Sequence, residues 1–390
     1  MTIFGPPNVR KMKEKRNVKG LIRCLQYAKG DWFPIQEQAA LALGILGDRM
    51  AVPSLVDLMS RYRYPSKSAI ISLGLLQDER AVEPLLGLLL APKEAAGVSY
   101  SDQLNKAHAA WALARLRAPQ AIQALLDLLC DLGYRERTFW MIPSALRIIG
   151  RPSVQPTIDF LNSEACHGVW CKDPRQLAVG VLGGIRDDRS VEFLIDLLRS
   201  LNEGTLVDDS KCRADPDDEE REPGPLWYQV VEGLGCLGDA RALEILAMTA
   251  RNGTLRESWI RRNAGVRESA EIAAEAISTG RCGSIGTVED VADLYLDGSV
   301  YYEEHKSMLT EYEGKTANAL LKMMDSSKSD SDRGYREAYL HAVVALGKLG
   351  DSSATEPLLR RFADPGHYGY DARVFFAYEM SLARLGWSPR

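Results

Sequence analysis

The feature that most constrains this chain is a corner written many times over. Residues 42–59 read ALGILGDRMAVPSLVDLM, and variants return as SLGLLQDERAVEPLLGLLL from Ser72, VLGGIRDDRSVEFLIDLL from Val181 and ALGKLGDSSATEPLL from Ala345. Each is an apolar helical run, a break and a second, amphipathic run. Aligned on the leucine before the break, the copies fall at Leu43, Leu73, Leu113, Leu146, Leu182, Leu234, Leu346 and Leu382. The intervals are 30, 40, 33, 36, 52, 112 and 36 residues. A period of this size marks stacked supersecondary units, because one helix pair cannot bury its apolar face alone.

The break has a physical grammar. Gly47, Gly238 and Gly350 follow an apolar run, where a helix end wants a left-handed residue that glycine adopts cheaply. Asp48, Asp239 and Asp351 come next, and Asp78 and Asp187 hold the same place after Gln77 and Arg186. An aspartate there accepts from the free N–H groups that open the second helix and suits that end of the dipole. Pro84, Pro156 and Pro357 are expected in first turns, where a missing N–H costs nothing. Val52, Leu55, Val56 and Met59 share one face of the second helix. First helices are rich in small residues (Ala39, Ala40, Ala42 and Gly44; Ala109, Ala110, Ala112 and Ala114), which permits close packing between neighbours.

These patterns predict an all-α fold, a right-handed α-α superhelix of about eight to eleven helix pairs forming one array over 1–390. Residues 1–30 and 364–390 serve as terminal caps. The register between 252 and 335 stays open, although 288–297 (VEDVADLYLD) overlies 52–61. At 390 residues the chain exceeds one ordinary core unless the architecture is extended. A net charge of −5 gives no global pull toward nucleic acid or an anionic membrane. No apolar run reaches the ~18 residues of a membrane span. The basic N-terminus lacks a following apolar segment, so no secretory signal is expected there. Seven scattered cysteines suit a reducing compartment, and the expected location is the cytoplasm.

The pattern A-x-x-A-L-G-x-L-G-D-x-R-A-V-x-P-L-x-x-L-L, carried by 39–59 and 69–89, resembles the HEAT-like repeat of the short bacterial and archaeal type, also found in phycobilisome lyases. The opening from Asn8 resembles the N-terminal cap of such arrays. The resemblance implies a scaffold that presents a concave face to another protein, with no cofactor. It is nearly silent on which function, since fold does not fix function.

Insertions interrupt the array at 93–106, 162–175 and 202–225. The last is highly charged and reads either as a solvated loop or as an acidic partner-binding flap. Cys166, His167 and Cys171 lack a second ligand pair, so no metal site is expected. Di-iron hydroxylases built on HEAT-like pairs carry repeated His-Glu dipeptides; this chain has Glu304-His305, the reverse order. A bilin holder needs a deep apolar groove that nothing in the sequence fixes. Basic runs at Arg10–Arg23 and Arg251–Arg267 are local, and nucleic acid is not the expected partner.

On second helices Asp57, Asp127, Asp159, Asp196 and Asp293 recur at one repeat position opposite the apolar stripe. They read either as the ordinary charge of a regular exposed face or as an acidic groove for a basic protein segment. The C-terminal aromatics, from His367 to Trp387, cover the last pair or form a sticky surface. No P-loop, nucleophile elbow or dinucleotide fingerprint occurs. The functional expectation is a non-enzymatic interaction scaffold. A lyase-like or other HEAT-based enzyme and a nucleic-acid binder are the alternatives.

Overall fold

The computed structural model describes residues 7–26, 33–61, 66–91, 100–131, 141–163, 174–203, 226–251, 270–271, 273–275, 277–279, 316–326, 342–343, 345–347, 349–362, 381–382 and 385. They are helices and short turns, with no strand among them. The helices are α1 (Val9–Glu14), α2 (Val18–Leu25), α3 (Phe33–Leu46), α4 (Val52–Arg61), α5 (Lys67–Leu76), α6 (Val82–Leu89), α7 (Tyr100–Arg115), α8 (Ile122–Asp131), α9 (Met141–Ile149), α10 (Val154–Leu161), α11 (Pro174–Gly183), α12 (Asp188–Glu203), α13 (Leu226–Leu237), α14 (Leu243–Arg251), α15 (Ala317–Ser326) and α16 (Thr355–Phe362). Contacts gather the chain into two compact units, one of 1–116 with 292–390 and one of 117–291.

In the first unit, Asn8 and Asn17 cap α1 and α2 with their side chains. α2, α3, α5 and α7 then pack in succession, and α4 and α6 lean on the first helix that follows each. α5 is buried from Ser68 to Leu76 because helices cover it on several sides, so its apolar residues run all round. In the second unit α9, α11 and α13 pack in succession, as do α8, α10, α12 and α14. The second helices bury one stripe only: Val52, Leu55, Leu58 and Met59 on α4, and Val191, Leu194, Leu198 and Leu201 on α12.

The corners hold the expected left-handed glycines, with φ of 75° at Gly47, 70° at Gly238 and 69° at Gly350. Gly150 joins them at 84°. Two non-glycines do the same work, Gln77 and Arg117, both at 47°. Tertiary packing fixes the chain direction there and offsets the cost of the left-handed region, about 1–2 kcal/mol for a residue with a Cβ. Asp187 caps α12 directly, as expected, but the other four corner aspartates do not cap the second α-helix itself. A three-residue 3₁₀ turn intervenes, and Asp48, Asp78, Asp239 and Asp351 each accept from the N–H two residues on, inside that turn. Asp187 accepts from Arg189 N at 3.1 Å.

Three corners add an arginine staple. Asp78 accepts from Arg80 Nε and Nη2, both at 2.8 Å, while Nη2 also donates to Arg49 O of the preceding corner at 3.0 Å. Asp187 holds Arg189 likewise, and its Nη2 reaches Arg151 O at 3.5 Å. Asp239 holds Arg241, which reaches Asp188 at 2.6 Å and Glu192 at 3.4 Å. The Arg80 hydrogen bond holds the Asp78 carboxyl down to about 2. Asp187 and Asp239 are lowered by the same contact with Arg189 and Arg241.

One described end of each of the three insertions is helical. Residues 100–106 form the first turns of α7, residues 174–175 open α11 and residues 202–203 close α12. The helical period of KAHAAWAL extends backward through Asn105, which is buried, and Lys106, whose Nζ donates to Ala91 O at 2.7 Å. Residues 92–99, 164–173 and 204–225 lie outside the described residues, as does the unit placed at 288–297.

Candidate functional site: the outward face of the second helices

The side of the second helices opposite the core carries two columns four residues apart, the spacing that puts side chains one above the other. In the second unit they are Gln123 and Asp127 on α8, Gln155 and Asp159 on α10, and Glu192 and Asp196 on α12, all exposed. α10 packs against both α8 and α12. Three aspartates therefore stand on three neighbouring helices at one repeat position. α14, packed on α12, places the exposed Glu244 and Met248 in the same columns.

The regularity has breaks. Asp57 holds the position on α4 in the first unit, and its side chain is 63% exposed. Gly87 stands there on α6 and Arg360 on α16. Asp293 lies outside the described residues. The structure thus brings together Asp127, Asp159 and Asp196, while Asp57 belongs to the other unit.

Local chemistry differs along the row. Asp127 and Asp159 accept from Gln123 and Gln155 Nε2 at 2.9 Å each. A neutral amide leaves the carboxylate charge whole. Asp196 pairs with Arg199 and Asp57 with Arg61 on the same helix. Exposed pairs of this spacing contribute only about 0.2–0.5 kcal/mol. None of these aspartates serves the core, so the face is free to vary without unfolding the repeat.

A second cluster lies among the first helices of the second unit. The residue after the anchor leucine is Gly44, Gly74, Ala114, Gly183, Gly235, Gly347 or Ala383 in seven copies, and Arg147 in the eighth. Arg147 lies across α11, where a methyl at Gly184 would meet its Nε at 2.7 Å and its Cδ at 2.8 Å. Its Nε donates to Gly180 O at 2.9 Å and its Nη2 donates to the same oxygen at 2.5 Å. The residue is partly buried, protein atoms crowd the guanidinium, and that burial pushes its pKa below the ordinary arginine value. Cys236 and Glu232 of α13 act in the opposite direction. Arginine stays charged at any physiological pH, so α11 carries a fixed positive charge over its glycines. The departure is legible in the sequence once the copies are aligned on Leu146.

No group of three or more His, Cys, Asp or Glu that could hold a metal occurs among the described residues. His108 is buried in α7. His167, His305, His341, His367, Cys166 and Cys171 lie outside the described residues. Burial pushes the Cys24 thiol up, which removes it as a nucleophile. Among the described residues no helix is long and apolar enough to cross a membrane.

Comparison with known proteins agrees with the corner grammar. A family model for the PBS lyase HEAT-like repeat matches residues 35–61 and 106–129. Among solved structures, human deoxyhypusine hydroxylase in complex with glycerol is similar at 18% identity and a TM-score of 0.27, covering 70% of this chain and 88% of that one. A superposition that loose adds nothing to the fold already described. No curated protein matches the chain. Residues 35–61 and 106–129 thus match the PBS lyase HEAT-like repeat, and the described residues form an all-α helical-repeat fold.

Proposed function

We propose that the chain is a non-enzymatic cytoplasmic scaffold that holds a protein partner against the outward face of its second helices, the side lining the concave surface in a HEAT-like array. The observation that carries this reading is the row Asp127, Asp159 and Asp196. These residues recur at one position on adjacent helices, are exposed, and contribute nothing to the core. A repeated charge without a structural duty suits a partner segment bearing lysines or arginines, laid across the helices. Burying even part of such a segment between carboxylates would set register and on-rate more than raw affinity.

Affinity capture from the native cell, followed by mass spectrometry, tests the reading. The wild-type chain should retain a partner that Asp127→Lys/Asp159→Lys/Asp196→Lys loses by about tenfold or more, the scale of a few weak charge contacts reversed together. Undiminished capture by the triple variant would remove the row from the binding surface.

A further inference from the structure

The strongest charge asymmetry on the described surface lies in α1 and α2. Between Pro7 and Gln26 the chain carries seven cations and one carboxylate, in a protein whose net charge is −5. Arg10 pairs with Glu14, and Arg16 donates to Leu46 O at 3.4 Å. Lys11, Lys15, Lys19 and Arg23 are exposed, and their side chains make no ion pair or hydrogen bond among the described residues.

Their arrangement follows a lattice. Lys11 and Lys15 are four residues apart on α1 and its C-cap, Lys19 and Arg23 are four apart on α2, and the two helices pack together. Four residues of helix put side chains about 6 Å apart, and packed helices stand about 8–10 Å apart. The second helices of the second unit carry the opposite sign. Glu192 and Asp196 on α12 are already paired with Arg241 and Arg199, whereas Asp127 and Asp159 stand on the packed α8 and α10 and Glu244 stands on α14. Among the described residues Asp127 and Asp159 accept from amides and Glu244 makes no ion pair, so negative charge is left over there.

We infer that the basic α1–α2 cap of one copy docks on the α8, α10, α12 and α14 face of a second copy. This rests on that face being the binding surface, and it names the partner as the chain itself. The two patches differ, so the contact is head-to-tail and each added copy leaves one patch of each sign exposed. Screening over about 8 Å at physiological salt makes such association strongly salt-dependent.

Sedimentation velocity of the full chain tests this with three proteins: wild type, Lys11→Glu/Lys15→Glu/Lys19→Glu, and Asp127→Lys/Asp159→Lys. All the substituted residues are exposed, and unchanged circular dichroism confirms the fold. At low salt the wild type should self-associate, with the association constant falling about tenfold or more on raising salt severalfold. Each variant alone should sediment as a monomer. An equimolar mixture of the two should re-associate, because each supplies the patch the other lost. A monomeric wild type at low salt overturns the inference, as does association indifferent to either reversal. Should the wild type remain monomeric while a cellular partner still needs Asp127 and Asp159, the inference falls and the scaffold reading stands. Should the cap instead retain a short nucleic-acid duplex through Lys11, Lys15 and Lys19 with no self-association, the cap belongs to nucleic acid and the inference is overturned.

Discussion

Helix α11 meets its two neighbours in opposite ways, from the same repeat position. Toward α13 it presents Gly183, and a methyl there would lie 2.6 Å from Gly233 Cα. Toward α9 it meets Arg147, the residue that replaces the repeat's glycine or alanine, lying over Gly180 and Gly184. One interface is backbone against backbone; the other holds a charged side chain in a groove cleared for it. The same slot can therefore be used for closeness or for chemistry. Glycine on the facing helix is required either way, for opposite reasons: Gly233 so that the helices touch, Gly184 so that a side chain fits between them.

The glycine interface should be the more brittle. In Gly183→Leu the new side chain meets backbone, which cannot rotate away, so α11 and α13 must separate. We expect a loss of about 3 kcal/mol, the upper range for overpacking, read as a lower urea midpoint. A midpoint within error of wild type would show that the two helices slide freely and that the close approach is unimportant.

The arginine interface should yield less and be repairable. Arg147→Ala removes two N–H donors to Gly180 O and empties the groove, costing about 2 kcal/mol by the usual scale for hydrogen bonds to charged groups. Gly184→Ala alone displaces the Arg147 stem and is also destabilising. Combined with Arg147→Ala the same change fills the vacated space and, at a position whose backbone lies outside the left-handed region, gains about 0.4–1 kcal/mol by restricting the unfolded chain. The sign of Gly184→Ala should therefore reverse between the two backgrounds, a coupling that a double-mutant cycle reads directly. Additive effects would mean that Arg147 does not occupy the groove in solution.

How much of this the sequence discloses depends on what sets each residue. Gly47 and Asp48 are legible because local backbone geometry demands them: a left-handed helix stop, then a carboxylate over free N–H groups. Gln77 and Arg117 take the same conformation without the matching residue type, and only their place in the repeat gives them away. The arginine staples are not legible from Asp-x-Arg at 78–80, 187–189 and 239–241 alone, because the acceptors of the outer N–H groups lie about a repeat back in the chain. Periodicity gives the repeat position of Asp57, Asp127, Asp159 and Asp196, which are exposed, but which of them stand side by side depends on helix packing. Gly87 and Met248 interrupt a row that looked continuous when only its matching members were read.

The staples extend the contrast between the two sides of α11. Arg241 crosses toward the α11–α12 corner and ends on two carboxylates, Asp188 and Glu192. Arg189 crosses toward the α9–α10 corner and ends on a backbone carbonyl at 3.5 Å. Arg241→Gln should therefore lower the urea midpoint more than Arg189→Gln, and the Arg241 effect should shrink more as salt rises, since it pairs with three carboxylates where Arg189 pairs with one. Both effects should be smaller than that of Arg147→Ala, because the guanidinium groups are half-exposed. Acid gives the same comparison a second axis. Asp187 and Asp239 titrate below the ordinary 3.8 in the folded chain, each held down by its arginine. A carboxyl with a depressed folded pKa adds stability that is fully present above its unfolded value and is lost as pH falls through its folded one. The midpoint should thus drop steeply between about pH 4 and 2, with Asp78, held down to about 2, contributing in the other unit. In Arg241→Gln the Asp239 share of that slope disappears while the Asp187 share remains. An acid limb unchanged by Arg241→Gln would mean that the Asp239 carboxyl is held by the 3₁₀ turn alone, and that the arginine is tied to the neighbouring repeat rather than to its own corner.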